Sequence, residues 1–175
     1  AGESSEAAQQ AAGALRNLAA NNTANKDAVR AAGGVVPLVA LLHAGASSLS
    51  AQKAAGALRN LAANNMPNQD AIREAGGIPW LVGLLNAGAT SIAAQEATAA
   101  LANLAASNGT NKNAIREAGA IGPLVTLLQA GASNEAAQHA AAALANLLSG
   151  VAPLVALLHA GQHSAQDLAQ HTLQL

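Results

Sequence analysis

Four asparagines recur at a constant spacing, and their side-chain amides are the most distinctive chemical groups in this sequence. Asn17, Asn60, Asn103 and Asn146 each lie in a Leu-X-Asn-Leu motif, and successive copies are 43 residues apart. A carboxamide carries an acceptor oxygen and two donor hydrogens, so it can pair with the N–H and C=O groups of an extended backbone. The repeated amide therefore predicts recognition of a polypeptide on a surface.

Residues that could support catalysis or metal binding occur without a recognisable pattern. His159 and His163 have the four-residue spacing of a helical metal site, but Gly161 lies between them and the chain has no Cys. We find no nucleophile elbow, phosphate-binding loop or paired-carboxylate motif. We therefore expect no enzyme activity, no cofactor and no metal site.

Composition excludes two further classes of partner. Of the 175 residues, 51% are hydrophobic, yet no run of eighteen apolar residues could span a bilayer. Charged residues make up 10% and the net charge is −1, which is too small to attract nucleic acid or an anionic membrane. The absence of Cys fits a reducing compartment, so we expect an intracellular location, cytoplasmic or nuclear.

The 43-residue period predicts stacked helical units, each burying its apolar face against its neighbours. Gly, Pro and capping residues divide one unit into three helices: a short one from Asn25 to Gly33, a second from Pro37 to about His43, and a third from Ser48 to about Ala63. The third helix carries a stripe at helical spacing that we expect to be buried. Its residues are Ala51, Ala54, Ala55, Leu58 and Leu61.

The units form one predicted domain, residues 1–175, with irregular ends. Pro153 follows Pro123 by 30 residues instead of 43, so the last unit lacks its loop and short first helix. The predicted divisions are a lone third helix at 1–20, full repeats at 21–63, 64–106 and 107–148, and a truncated repeat at 149–175.

Three segments carry a resemblance to a known family: Asn25–Gly33, with sequence NKDAVRAAG, Pro37–Leu42, with sequence PLVALL, and Ala57–Ala62, with sequence ALRNLA. The chain resembles armadillo repeats in all three, and the resemblance extends over nearly its whole length. It implies an all-α fold, a right-handed superhelical solenoid with three helices per repeat.

The resemblance also implies a role for the asparagines. In armadillo proteins such as importin-alpha and beta-catenin, the Asn at this position lines the inner groove and holds the backbone of an extended partner. On this chain that role falls to Asn17, Asn60, Asn103 and Asn146. Residues seven positions earlier share the same helix face and become the selectivity positions. They are Gln10, Lys53, Glu96 and His139.

One departure from importin-alpha changes the expected ligand. That protein has Trp four residues before the Asn, whereas this chain has Gly13, Gly56, Ala99 and Ala142. Loss of these aromatic slots argues against recognition of a nuclear localisation signal and leaves room for a helical as well as an extended segment. We interpret Arg16 and Arg59, next to the first two asparagines, as solvated cations, with a place at the groove border as the alternative.

Two alternatives stay open. Each Asn could instead tie its own helix to an adjacent loop or to water, in which case the repetition reflects only duplication of a structural unit. The chain could also be a self-associating scaffold, a homodimer formed through the open ends of the solenoid. The close similarity of the copies fits a designed, reconstructed or trimmed array as well as recent duplication. The apolar residues of the first helix that support self-association are Ala7, Ala8, Ala11, Leu15 and Leu18.

Overall fold

The computed structural model describes residues 6–149, which form ten α-helices joined by short loops. The histidine pair at 159 and 163 and nearly all of the truncated repeat lie outside this range. The predicted all-α class is confirmed. The helices are α1 (Glu6–Ala19), α2 (Thr23–Ala31), α3 (Val35–Leu42), α4 (Leu49–Ala62), α5 (Met66–Glu74), α6 (Gly77–Leu85), α7 (Ile92–Ala105), α8 (Gly109–Glu117), α9 (Ile121–Leu128) and α10 (Glu135–Leu148).

The long helices α1, α4, α7 and α10 pack side by side in chain order and form one layer. We call them the third helices, because α4, α7 and α10 each close a three-helix unit. Each second helix, α3, α6 or α9, packs on the third helix that follows it. The short first helices α2, α5 and α8 connect one third helix to the next second helix.

The predicted buried stripe of α4 is confirmed, since all five of its residues are 0% exposed. Leu38 and Leu42 of α3, each 1% exposed, fill the space beside it. Apolar burial of this kind contributes about 25 cal/mol per Å² removed from water. The small alanine side chains also let neighbouring third helices approach closely.

The first helices begin earlier than the sequence suggested. Asn25 was the expected N-cap of α2, but the cap is Asn22, whose side-chain oxygen accepts a hydrogen bond from the Asn25 backbone N–H at 3.0 Å. Asn21 has a φ of 51° and redirects the chain so that the helix begins at Thr23. Asn25 instead donates its side-chain N–H to the Leu18 carbonyl at 2.9 Å.

The second helix also begins earlier, at Val35 instead of Pro37. Pro37 lies in its first turn, where the missing backbone N–H has no intrahelical partner to lose. The prediction of helical structure here was therefore right, and its start was wrong by two residues.

The cap asparagines also join neighbouring repeats. Asn65 caps α5 and donates its side-chain N–H to Asp27 of α2 at 3.0 Å. One repeat later, Asn108 caps α8 and donates to Asp70 of α5 at 3.0 Å. The same side chain therefore starts one helix and binds the preceding unit.

Lys26 makes a further tie between repeats. It is 6% exposed, and its ammonium donates to the Ala63 carbonyl at the end of α4 at 2.6 Å. The equivalent residue of the next repeat is Gln69, which donates to the Asn103 carbonyl at 3.0 Å. Burial lowers the pKa of the Lys26 ammonium below its usual 10.5, and the nearby charge of Asp27 partly offsets this effect.

We expect Lys26→Gln to change the free energy of unfolding by less than about 1 kcal/mol, because Gln69 fills the equivalent position. Lys26→Met should lower it by about 1–3 kcal/mol, since the Ala63 carbonyl loses its donor. Urea denaturation at neutral pH measures both variants, and equal losses in the two would contradict this account.

The parent protein and the Lys26→Gln variant also test the lowered pKa of the Lys26 ammonium. Between the folded-state pKa and 10.5, the unfolded chain binds more protons than the folded chain. Stability of the parent protein should therefore rise as pH increases through that window. Lys26→Gln removes the titrating group, so this rise should be absent from its pH profile.

Candidate functional site

Hydrogen bonds between neighbouring third helices hold three of the four repeated asparagines in a row. The side-chain nitrogen of Asn60 donates to the Arg16 carbonyl at 2.8 Å, and that of Asn103 donates to the Arg59 carbonyl at 3.0 Å. Asn146 continues the series by donating to the Ala102 carbonyl at 3.0 Å. In each case the acceptor is the residue just before the preceding asparagine. We call Asn17, Asn60, Asn103 and Asn146 the amide row.

This arrangement differs from the structural alternative that the sequence left open. The amides bind the adjacent third helix, whereas the structural alternative had them bind a loop or water. Each of these three bonds uses one of the two amide hydrogens. The oxygens of Asn103 and Asn146 accept no hydrogen bond from other described residues, and both side chains are half-buried. The amides are therefore oriented by the fold and keep pairing capacity for another molecule.

Asn103 and Asn146 of the amide row line a depression between α4, α7 and α10. Its volume is about 430 Å³, and it places Arg59 on one side and Glu135 on the other. Part of its lining consists of small side chains, including Ala99 and Ala142. These two alanines occupy the positions, four residues before the asparagine, that were compared above with Trp in importin-alpha. The full lining is Arg59, Ala99, Ala102, Asn103, Ala106, Glu135, His139, Ala142 and Asn146.

A charge cluster extends the same surface across α1, α4 and α7. One oxygen of Glu96 lies 2.8 Å from the guanidinium of Arg16, and the other lies 2.9 Å from that of Arg59. The Glu96 side chain is only 8% exposed, so this carboxylate is largely covered by its two cations. We call Arg16, Arg59 and Glu96 the charge cluster. It joins three successive third helices.

Two helical glycines lie under charged side chains of this surface. A Cβ on Gly56 would be 3.0 Å from two atoms of Arg16 and 3.3 Å from Glu96, so the absence of a side chain lets this ion pair cross α4. Gly13 lies under Lys53, but there a Cβ would meet the nearest carbon at an ordinary 3.5 Å. The two glycines occupy equivalent positions in their repeats, but only at Gly56 would a side chain lie too close to its neighbours.

The four predicted selectivity positions have different environments. Gln10 is exposed on α1, and Lys53 lies across Gly13 with its ammonium 3.8 Å from the position of a Gly13 Cβ. Glu96 binds two arginines. His139 lines the depression, with its Nε2 3.5 Å from Glu135 on the same helix. Of the four, the structure thus places Glu96 between two arginines and His139 in the depression.

Sequence reasoning missed the pairing of Arg16 and Arg59, which it interpreted as solvated cations. The sequence showed that each arginine precedes an asparagine of the amide row. It also showed that Glu96, of opposite charge, lies two repeats after Arg16 and one repeat after Arg59. The sequence did not show that Arg16 can reach Glu96 across α4, which is possible because Gly56 has no side chain. Arg59 lines the depression, and Arg16 is linked to Arg59 through Glu96.

Residues 6–149 contain no group of three His, Asp or Glu side chains placed to hold a metal ion. None of the helices in this range is both long enough and apolar enough to cross a bilayer.

We expect Gly13→Ala to raise the free energy of unfolding by up to about 1 kcal/mol, because Ala is the better helix former and its methyl group would make only an ordinary contact with Lys53. Gly56→Ala should gain less or lose stability, since its methyl group displaces Arg16 from Glu96. Thermal and urea unfolding of the two variants provide the comparison. An equal gain at both positions would show that the ion pair does not need Gly56.

Comparison with known proteins gives a consistent result. The family model described as Armadillo/beta-catenin-like repeat matches residues 22–63 and 107–149. No curated protein sequence matches significantly. Among solved structures, the armadillo repeats only protein (ARO) from Plasmodium falciparum superimposes with a TM-score of 0.69 at 23% identity, over 80% of this chain and 61% of that protein. At this identity the similarity concerns the fold alone.

Designed proteins show higher identity. A designed armadillo repeat protein matches with a TM-score of 0.72 and 36% identity, over 79% of this chain and 57% of its own. Another, solved in complex with the peptide (KR)4, matches with a TM-score of 0.71 and 34% identity, over 79% of this chain and 56% of its own. The chain thus spans little more than half the length of these relatives. Together with the three-helix units, these matches identify the chain as an armadillo-repeat protein.

Proposed function

We propose that this chain is a non-catalytic protein-interaction module that holds an extended peptide segment of another protein along the amide row. The observation that carries the proposal is the orientation of the amides. The amides of Asn60, Asn103 and Asn146 are each fixed by a bond to the preceding third helix, and Asn103 and Asn146 line an open depression. A pre-oriented amide loses less conformational entropy on binding than a free one.

The spacing of the amides suits an extended chain. Neighbouring helices pack about 8–10 Å apart, and less on a concave side, whereas two residues of extended chain span roughly 6.6 Å. One asparagine for every two peptide residues is therefore geometrically feasible. The amide oxygen would accept a peptide N–H, and the second amide hydrogen would be available to a peptide carbonyl. Because these hydrogen bonds involve only the peptide backbone, they are compatible with many peptide sequences.

The designed relatives support a peptide ligand. One was solved with the peptide (KR)4, and another is described as computationally designed for modular peptide recognition. The second has a TM-score of 0.71 and 39% identity over 79% of this chain. Their binding belongs to those proteins, and it supports the same class of ligand here.

The charge cluster points to a different side-chain preference from (KR)4. Arg16 and Arg59 are two cations on the single carboxylate of Glu96, so the cluster has an excess of positive charge. Glu96 is covered and already paired, which leaves little negative charge to attract a basic peptide. We therefore propose that acidic residues of the peptide lie over α1 and α4. Because Glu96 neutralises part of the positive charge of the arginines that it binds, it would weaken this preference.

The amide row can be tested with the double variant Asn60→Ala/Asn103→Ala. Loss of two backbone-pairing amides, each worth about 1 kcal/mol, should weaken binding of a fluorescent (Glu-Ser)4 peptide about 30-fold in an anisotropy titration. Because these amides also join helices, the control is Asn68→Ala. Asn68 is fully buried on α5 and donates to the Leu61 carbonyl at 3.2 Å, so its loss affects stability outside the site.

Unchanged peptide affinity in the folded double variant would remove the groove assignment. Equal weakening by Asn68→Ala would assign the effect to stability and would contradict the assignment as well.

The charge preference has its own test, in which (Glu-Ser)4 and (Lys-Arg)4 are compared at low and high salt. We expect the acidic peptide to bind more tightly, and its affinity to fall as salt screens the cluster. Glu96→Gln should raise its affinity about fivefold by freeing two guanidinium groups. Glu74→Gln makes the same charge change on the exposed end of α5, away from the amide row, and should leave affinity unchanged.

Tighter binding of (Lys-Arg)4 to the parent protein would show that the charge assignment is wrong. The Asn60→Ala/Asn103→Ala result would still decide the amide row independently.

A further inference from the structure

One side of each third helix carries the amide row, and α10 shows which residues form that side. Asn146, Ala142, His139 and Glu135 all line the depression. The last three lie four, seven and eleven residues before the asparagine, and eleven residues make about three turns of an α-helix. We call this side of α1, α4, α7 and α10 the amide face.

The third helices differ in the sign of their charges. Helices α7 and α10 contain two carboxylates, Glu96 and Glu135, and neither helix contains Lys or Arg. Helices α1 and α4 contain three cations and one carboxylate between them, namely Arg16, Lys53, Arg59 and Glu6. The sign of the charge therefore changes along the direction in which the amide row runs.

The two carboxylates of the negative half differ in how available they are. The Glu96 side chain is 8% exposed and is bound by Arg16 and Arg59. The Glu135 side chain is 62% exposed, and within residues 6–149 it forms no ion pair with Lys or Arg. Its neighbour is the Nε2 of His139 at 3.5 Å, and a neutral imidazole carries no compensating charge. Glu135 is therefore the carboxylate that a ligand can reach.

The depression around Glu135 suits the side chain of a basic residue. Arg59 lies on its other side, but the Nη1 of Arg59 is 2.9 Å from Glu96, which offsets the charge of the guanidinium. Apart from His139, the remaining lining consists of alanines and of Asn103 and Asn146. The volume of about 430 Å³ leaves room for the long, flexible stem of a lysine.

The distance between the two halves sets the spacing of the charges on a ligand. Two helix-packing steps of about 8–10 Å separate α4 from α10, so the distance is roughly 16–20 Å, and less on a concave side. An extended chain rises about 3.3 Å per residue, and only alternate side chains point the same way. An acidic residue over α4 and a basic residue in the depression should therefore be about four or six positions apart.

We propose that the partner segment is bipolar. Its acidic residues lie over α1 and α4, and about four or six positions along the segment a basic side chain enters the depression and pairs with Glu135. This inference rests on the proposed function, since it needs the partner backbone to follow the amide row. It adds a requirement for the order of charges in the partner, which backbone pairing alone does not impose.

The test compares peptides of identical composition and net charge by fluorescence anisotropy, at low salt and pH 8. Two are bipolar, (Glu-Ser)2-(Lys-Ser)2 and (Lys-Ser)2-(Glu-Ser)2, because amides can pair with a backbone running in either direction. The third alternates the charges, as (Glu-Ser-Lys-Ser)2. We expect the tighter of the two bipolar peptides to bind about fivefold more tightly than the alternating one, and high salt should reduce this difference.

The substitution Glu135→Gln tests the assigned carboxylate. It should weaken binding of the tighter bipolar peptide about threefold, because the basic residue loses its partner. It should strengthen binding of (Glu-Ser)4 by a similar factor, because a like charge is removed. The matched control Glu117→Gln makes the same charge change at the exposed end of α8, outside the depression, and should change neither affinity. Circular dichroism of both variants checks that they are folded.

Equal affinity of the alternating peptide and both bipolar peptides would overturn the inference. It would also be overturned if Glu135→Gln shifted the bipolar peptide and (Glu-Ser)4 in the same direction, or if Glu117→Gln had the same effects. The double variant Asn60→Ala/Asn103→Ala separates this result from the proposed function. If that variant weakens every peptide while charge order has no effect, only the bipolar partner is excluded. If it leaves every affinity unchanged, the proposed function fails and this inference fails with it.

Discussion

The close side-by-side packing of the third helices is the constraint on which the rest of the structure depends. Buried alanines, all 0% exposed at positions such as Ala54 and Ala97, let these helices approach closely. Close approach brings each amide of Asn60, Asn103 and Asn146 within hydrogen-bond distance of a carbonyl on the preceding helix. The row of amides is thus a direct product of helix spacing.

The same spacing explains how one carboxylate can serve three helices. Glu96 reaches Arg59 on the adjacent helix and Arg16 on the helix beyond it, because Gly56 presents no side chain in between. Ion pairs of this kind gain from partial burial, where the effective dielectric is below that of water. A cluster of charges therefore lies on the surface that also carries the amides, and both would meet the same ligand.

Asparagine has three structural roles in this protein, and each depends on position in the repeat. At Asn22 and its equivalents it caps a first helix, and at Asn25 and its equivalents it binds the end of the preceding third helix. At Asn60 it joins two third helices. A short side chain with both donor and acceptor suits all three places, where backbone groups lack partners within their own helix.

The sequence by itself determined the repeat, the three-helix unit and the buried stripe of α4, because glycines, prolines and apolar residues at helical spacing are local signals. It misplaced the cap of α2, since Asn22 and Asn25 are equally good caps and only the turn at Asn21, with φ of 51°, selects one. It also indicated which residues share a face with each asparagine. Only the tertiary structure decided what those faces meet: the carbonyls bound by the amides and the arginines around Glu96. Such contacts join residues 37 to 80 positions apart, and their distances depend on how closely whole helices pack.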